Sequence, residues 1–353
     1  MSHCSWLKAV GWGFRRGRFG VLAALAAVVF LGSGPPAHAD LTITPTFTAN
    51  FVADFGGNAA AAEASWEAAA AVYTSTFSAS AAVQHANINI TVDAVAGTGV
   101  FGESNYFLQS ISYTALQAAV AANAAKSGNP DQLASVAPGG SLSTTNPDTS
   151  ATYWLNTAQA KALGLTSNTG TDGTTTFGAG NPFYFGTGTP PAGQYYFEGI
   201  ALHEIAEVMG RQGLKSGTIG GHQDSHSLLD LFAYTGHGAR SLTNGNGAFF
   251  SIDNGTTLLM QYNPNKQNGF DSRDWATTSP YTPDAYNQFS DPGVINGFTG
   301  VDLREMNVLG YDLPPATPIP EPSSMLVAAV GALGLSAYGW RRRRKQRAEE
   351  SVA

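Results

Sequence analysis

His203-Glu204-Ile205-Ala206-Glu207-Val208-Met209-Gly210-Arg211 is one residue away from H-E-x-x-H, a spacing that sets two metal ligands on one face of a helix. Positions i and i+4 share a face, so His203 and Glu207 can reach one ion while Glu204 points at the water that ion would activate. The fifth position here is Glu and not His. A carboxylate is a permissible zinc ligand, but it adds negative charge and lowers the Lewis acidity of the metal.

A catalytic zinc takes three protein ligands and leaves a fourth position for water, whose pKa falls to about 7. His203 and Glu207 would supply two ligands, and Glu204 would be the general base that takes the water's proton and returns it to the leaving amine. Four of the five histidines between Asp40 and Pro320 (His85, His203, His222, His226 and His237) fall between positions 203 and 237, which supports a metal site. Ten residues after His203 stands Gly213, which has no side chain to offer. His226 is the first candidate for the third ligand, with Asp230 and His222 as alternatives and Asp224 behind them. Asp230 interrupts the apolar run Leu228 to Tyr234, where a carboxylate needs a metal, an Arg or backbone donors. Acidic turns at Asp253-Asn254-Gly255 and at Asp271 with Asp274 are weak Ca2+ candidates. They lack the regular spacing of a calcium loop and read as solvated turns.

The two ends are addresses. Residues 1–39 carry Arg15, Arg16 and Arg18, an apolar core from Val21 to Leu31 and the small-residue site Ala37-His38-Ala39, which together read as a signal peptide cut by signal peptidase. The paired arginines fit twin-arginine export poorly, and ordinary secretion fits better. At the other end a Pro-rich linker, 313–322, contains Pro320-Glu321-Pro322. It leads to an apolar run, Met325 to Trp340, and the basic block Arg341-Arg342-Arg343-Arg344-Lys345; residues 323–345 read as an anchor with a basic tail and 346–353 as a polar end. These residues resemble the PEP-CTERM sorting tail of Gram-negative bacteria. That resemblance implies transient inner-membrane anchorage, cleavage by an exosortase, and delivery to the cell surface or extracellular matrix.

Between Asp40 and Pro320 remain 8 basic and 22 acidic residues, a net charge of −14. So acidic a body offers no footprint for nucleic acid. The single cysteine, Cys4, lies in the signal, so disulfides, thiol nucleophiles and Cys-ligated zinc are all excluded from the secreted form.

Hydropathy patterning predicts a strand-like opening (Leu41 to Val52), a helix over Ala59 to Tyr73, a half-buried strand over Ala86 to Val92 and a helix over Tyr113 to Lys126 stopped by Gly128. Loops fill Pro138 to Pro191, apart from a helix near Asn156 to Leu163 and a strand around Thr174 to Phe177. The motif helix runs from Tyr196 to Gly210, and a last helix covers Leu303 to Leu309. Met306 reads as core. The lead-in Tyr195 to Leu202, the segment Leu228 to Tyr234 and the segment Met306 to Asp312 resemble a zincin-type metalloprotease family bearing PEP-CTERM tails. The implied fold for 40–312 is α+β and zincin-like, with a mixed sheet, an active-site helix and an irregular C-terminal subdomain. The implied activity is zinc-dependent hydrolysis of protein or peptide substrates. The alternative is a non-catalytic matrix or adhesion protein on the same scaffold. By analogy, the strand near Ile88 is a candidate edge for binding an extended peptide.

Overall fold

In the computed structural model, which describes residues 40–78, 85–243, 247–264, 271, 273–277 and 282–313, the chain opens with strand β1 (Asp40–Phe47) and helices α1 (Ala49–Phe55) and α2 (Ala59–Thr76). The opening strand stops short of Val52 because the Thr48 hydroxyl accepts the Phe51 N–H at 3.0 Å and starts a helix as its N-cap. The signal, Cys4, the linker from Pro314, the anchor and the basic tail lie outside the described residues.

Next come β2 (His85–Val95), β3 (Gly102–Tyr106), β4 (Leu108–Ile111), α3 (Tyr113–Ser127), α4 (Pro130–Val136), β5 (Thr152–Asn156), α5 (Thr157–Ala162) and β6 (Gly173–Gly178). The first sheet has the order β1-β2-β6-β3, parallel except for β3, which runs antiparallel to β6 at the edge. Ala86, Ile88, Ile90, Val92 and Ala94 all turn their side chains to the core, as the period of two requires. Their strand lies between β1 and β6, so the expectation of a free edge near Ile88 is corrected: the edge beside the motif helix is β3.

After the two-stranded pair β7 (Phe183–Tyr184) and β8 (Tyr195–Tyr196) comes the motif helix α6 (Phe197–Val208). Its buried face is Phe197, Ile200, Ala201, Ile205 and Val208. The Tyr73 hydroxyl of α2 donates to Leu202 O at 2.7 Å, and Trp66 Nε1 donates to Thr175 Oγ1 on β6 at 3.1 Å, tying α2 to both α6 and the sheet. A helix end leaves carbonyls without partners, and here three are satisfied by side chains. Asn156 Nδ2 serves Glu207 O (2.8 Å) and Val208 O (3.1 Å), and the Tyr311 hydroxyl serves Met209 O (2.7 Å). Gly210, at φ 114, turns the chain where a side chain would be strained, and Arg211 comes back beneath the helix.

The C-terminal part is built from β9 (Gly217–Ile219), β10 (His222–Ser227), β11 (Ala233–Gly236), β12 (Ala239–Arg240), β13 (Phe249–Phe250), β14 (Met260–Gln261) and helix α7 (Gly300–Val308). Strands β9 and β10 join β5 and β4 in a second mixed sheet, and the remaining four form a third. Helix α7 starts earlier than the hydropathy pattern indicated because Thr299 and Asp302 form a capping box. Met306 is fully buried, as expected of core. The architecture is mixed α+β.

Candidate metal centre

Helix α6 runs beneath β3, and between them opens a cleft of about 460 Å³ lined by Gly102, Ser104, Tyr106, His203, Glu204, Glu207, Asp271 and Asp274, among others. His203 and Glu207 lie one turn apart on the helix face toward the cleft, as the spacing required. Their ligand atoms converge with a carboxylate oxygen of Asp274, all within 4.8 Å of one another. His203 Nε2 is 3.5 Å from Glu207 Oε1 and 3.3 Å from Asp274 Oδ1. Those separations match the roughly 3.4 Å edge of a tetrahedron with bonds of about 2.1 Å.

Supporting contacts hold each of the three. His203 Nδ1 lies 2.9 Å from Ala285 O, which leaves Nε2 as the ligating nitrogen, the usual arrangement for a metal-bound imidazole. The Ser104 hydroxyl on β3 donates to Glu207 Oε2 at 2.5 Å. Arg211 Nη2 donates to Asp274 Oδ1 at 3.2 Å, and its guanidinium lies 4.2 Å above the Tyr286 ring. Burial and the Arg211 charge push His203 toward losing its proton, but the carboxylates of Asp274 and Glu207 outweigh them and hold its pKa well above the usual value. The donor set, one nitrogen and two carboxylate oxygens with an oriented imidazole, fits a divalent cation such as zinc. One feature opposes it: Arg211 Nη2 also stands 3.0 Å from His203 Nε2.

Glu204 is buried beside this cluster. Burial first, and then the neighbouring Glu207 carboxylate, push its pKa well above the ordinary carboxylate range. Its place depends on Gly102. A Cβ at that position would collide with Glu204 Oε1 and stand 2.8 Å from Ile200 Cγ2. On the zinc-hydrolase reading proposed below, Gly102→Ala is expected to displace Glu204 and cut turnover by about 10²-fold, the scale of an ångström-level misplacement, while zinc stays bound. Steady-state kinetics with metal analysis on the variant checks this.

The structure does not bring the three sequence candidates for the third ligand to this cluster. His226 lies fully buried on β10, its Nε2 3.7 Å from Asp148 Oδ2 and its ring against Tyr153, outside the cluster. Asp230 is committed elsewhere. It accepts from Arg273 Nε and Nη2 (3.0 and 2.7 Å) and from the backbone N–H groups of Leu214, Lys215 and Ser227, which answers its burial without a metal. Burial alone would raise its pKa; Arg273 and the backbone donors lower it instead. His222 is exposed beside the Trp154 ring, and Asp224 and His237 are exposed too. Asp274, which the sequence presents as part of a solvated turn, is 3% exposed and is the residue that the structure brings together with His203 and Glu207. Arg211, which follows the motif in the chain, has no role that its spacing alone announces, and the structure sets it against both His203 and Asp274.

The tail from 318 to 344 matches the PEP-CTERM protein-sorting motif. The motif implies an exported protein recognised by an exosortase-type sorting enzyme and delivered to the cell envelope or surface. No curated protein and no solved structure matches the chain. Among the described residues no helix is long and apolar enough to cross a membrane.

Proposed function

We propose that residues 40–312 form a zincin-type, zinc-dependent endopeptidase, secreted after signal-peptide cleavage, anchored transiently in the inner membrane and then released to the surface by the sorting enzyme. The convergence of His203, Glu207 and Asp274 on one point at the floor of a cleft carries this reading. A bound zinc would polarise the scissile carbonyl and acidify a water. Glu204 takes the proton of the attacking water and delivers it to the leaving amine nitrogen. The free edge of β3 accepts the substrate as an added strand, which puts a peptide bond above Glu204. Tyr106 lines the same cleft and stays protonated, its pKa raised by burial and by the Asp271 and Glu207 carboxylates, so its hydroxyl can donate to substrate.

The alternative, a non-catalytic matrix or adhesion protein on the same scaffold, draws support from Arg211, a cation already placed against the imidazole. Metal analysis separates the two. Zinc at one equivalent per chain at neutral pH is expected, with casein or gelatin cleaved; a protein free of zinc after zinc-supplemented preparation sinks the enzyme reading.

A further inference from the structure

Behind the candidate centre, at the start of α7, two carboxyl groups are buried against each other. Asp302 is fully buried and Asp284 is 2% exposed, and the two carboxyl groups lie within hydrogen-bonding reach of each other. Trp275 Nε1 and the Thr299 N–H donate to Asp302 Oδ1 and Oδ2 at 2.7 and 2.8 Å. The Tyr286 N–H and the Thr299 hydroxyl donate to Asp284 Oδ1 and Oδ2 at 2.7 and 2.8 Å. The segments so gathered both serve the metal centre. Trp275 follows the ligand Asp274, and Ala285, whose carbonyl meets His203 Nδ1, lies between Asp284 and Tyr286. Trp275 N also donates to Tyr286 O at 2.8 Å, so the two segments are paired.

Two carboxylates in contact inside a protein cannot both be ionised without a compensating cation. The cation that bears on Asp284 is Arg211, and Arg211 is hydrogen-bonded to Asp274. Among the described residues, the other ionisable groups that bear on the pair are Tyr73 on α2, Tyr286 in the same segment and Glu305 on α7, and none of them brings a positive charge.

We propose that Asp284 and Asp302 are a positioning pair for the candidate metal centre: one proton shared between them clamps the Asp274 segment and the carbonyl behind His203 onto α7, and losing it releases both. This rests on the metal-centre reading above. Burial, and then the charge of Asp284, push Asp302 well above the ordinary carboxylate range; burial also raises Asp284. A carboxyl whose pKa is raised on folding contributes stability that is full below the unfolded value of about 3.9 and is lost as pH climbs through the folded value.

In Asp284→Asn the amide donates to Asp302, so no proton needs to be shared. Urea unfolding of the purified, metal-stripped protein, followed by tryptophan fluorescence above about pH 5, reads the difference. The folded-to-unfolded ratio of the wild type is expected to fall with pH more steeply than that of D284N, by up to tenfold per pH unit, the slope of one proton. D302N serves as the mirror variant if D284N does not fold. Equal slopes in wild type and variant overturn the proposal. Chelator competition then reads the positioning role: wild-type zinc affinity should fall relative to D284N as pH rises, and parallel pH profiles overturn it. Absence of zinc from both proteins at neutral pH overturns the metal-centre reading instead, and the urea slopes alone then decide whether the pair shares its proton.

Discussion

Glu204→Gln is expected to cut peptide hydrolysis by about 10²- to 10⁴-fold while zinc remains bound, because the change removes a proton acceptor and no ligand. Glu204 belongs to the cleft lining but not to the converging ligand group. The amide is nearly isosteric with the carboxylate, so Gly102 and Ile200 still enclose it. In the metal-free protein, burial and Glu207 hold the Glu204 proton on. A divalent ion at the ligand cluster acts in the opposite direction and favours the ionised form that a base requires. Turnover of casein and zinc content measured on the same preparation decide the matter. An unchanged rate removes Glu204 from the chemistry, and a rate lost together with the metal makes it a ligand instead.

On the proposed zinc reading, the same Arg211 that stands against the His203 imidazole would offset the charge that Glu adds at the fifth motif position. Two histidines and one glutamate, a common catalytic zinc set, carry a formal charge of −1. His203, Glu207 and Asp274 carry −2 with the imidazole neutral, and the fully buried Arg211 brings the total to −1. The same guanidinium holds Asp274 in place at 3.2 Å, so the extra carboxylate and its counter-charge come as one unit. Arg211 reaches this point because Gly210 ends α6 and reverses the chain, which is why both follow the motif directly.

The elements that bury a regular apolar face were legible in the sequence: α2, β2, α3 and α6 stand close to where their periods placed them. Strand β3 was not. Its residues, Gly-Glu-Ser-Asn-Tyr, show no apolar alternation because its inner face borders a polar cleft, with Ser104 on Glu207 and Gly102 over Glu204. A hydropathy period reports burial in a core, and this strand is ordered by the site instead. Asp274 was hidden for a different reason. It lies far along the chain from His203, in a stretch of short bridges where hydropathy assigns no element. The one signal beside it in the sequence was Trp275, a large apolar side chain within a polar stretch, and in the structure both Trp275 and Asp274 are buried. His226 carries the right ligand chemistry, yet β10 pairs with β5 and turns that ring toward Tyr153.

Asp274→Asn is expected to weaken zinc binding by more than the 10- to 100-fold typical of losing a supporting residue, since it removes a ligand charge outright. The asparagine is chosen over alanine because Arg211 is fully buried. Stripping its partner down to a methyl group would remove the hydrogen-bond acceptor of a buried guanidinium as well as the charge, and confuse unfolding with metal loss. The amide oxygen can still accept from Arg211 Nη2, so the fold is retained and the far-UV circular dichroism should match that of the wild type. His226→Ala serves as the paired control: a histidine outside the cluster should leave zinc stoichiometry at one per chain, whatever it costs in packing. Zinc retained by D274N and lost from H226A would reverse the assignment and return the third ligand to β10. Zinc lost from D274N alone ties the site to a residue 71 positions beyond His203 and makes the C-terminal half part of the metal centre.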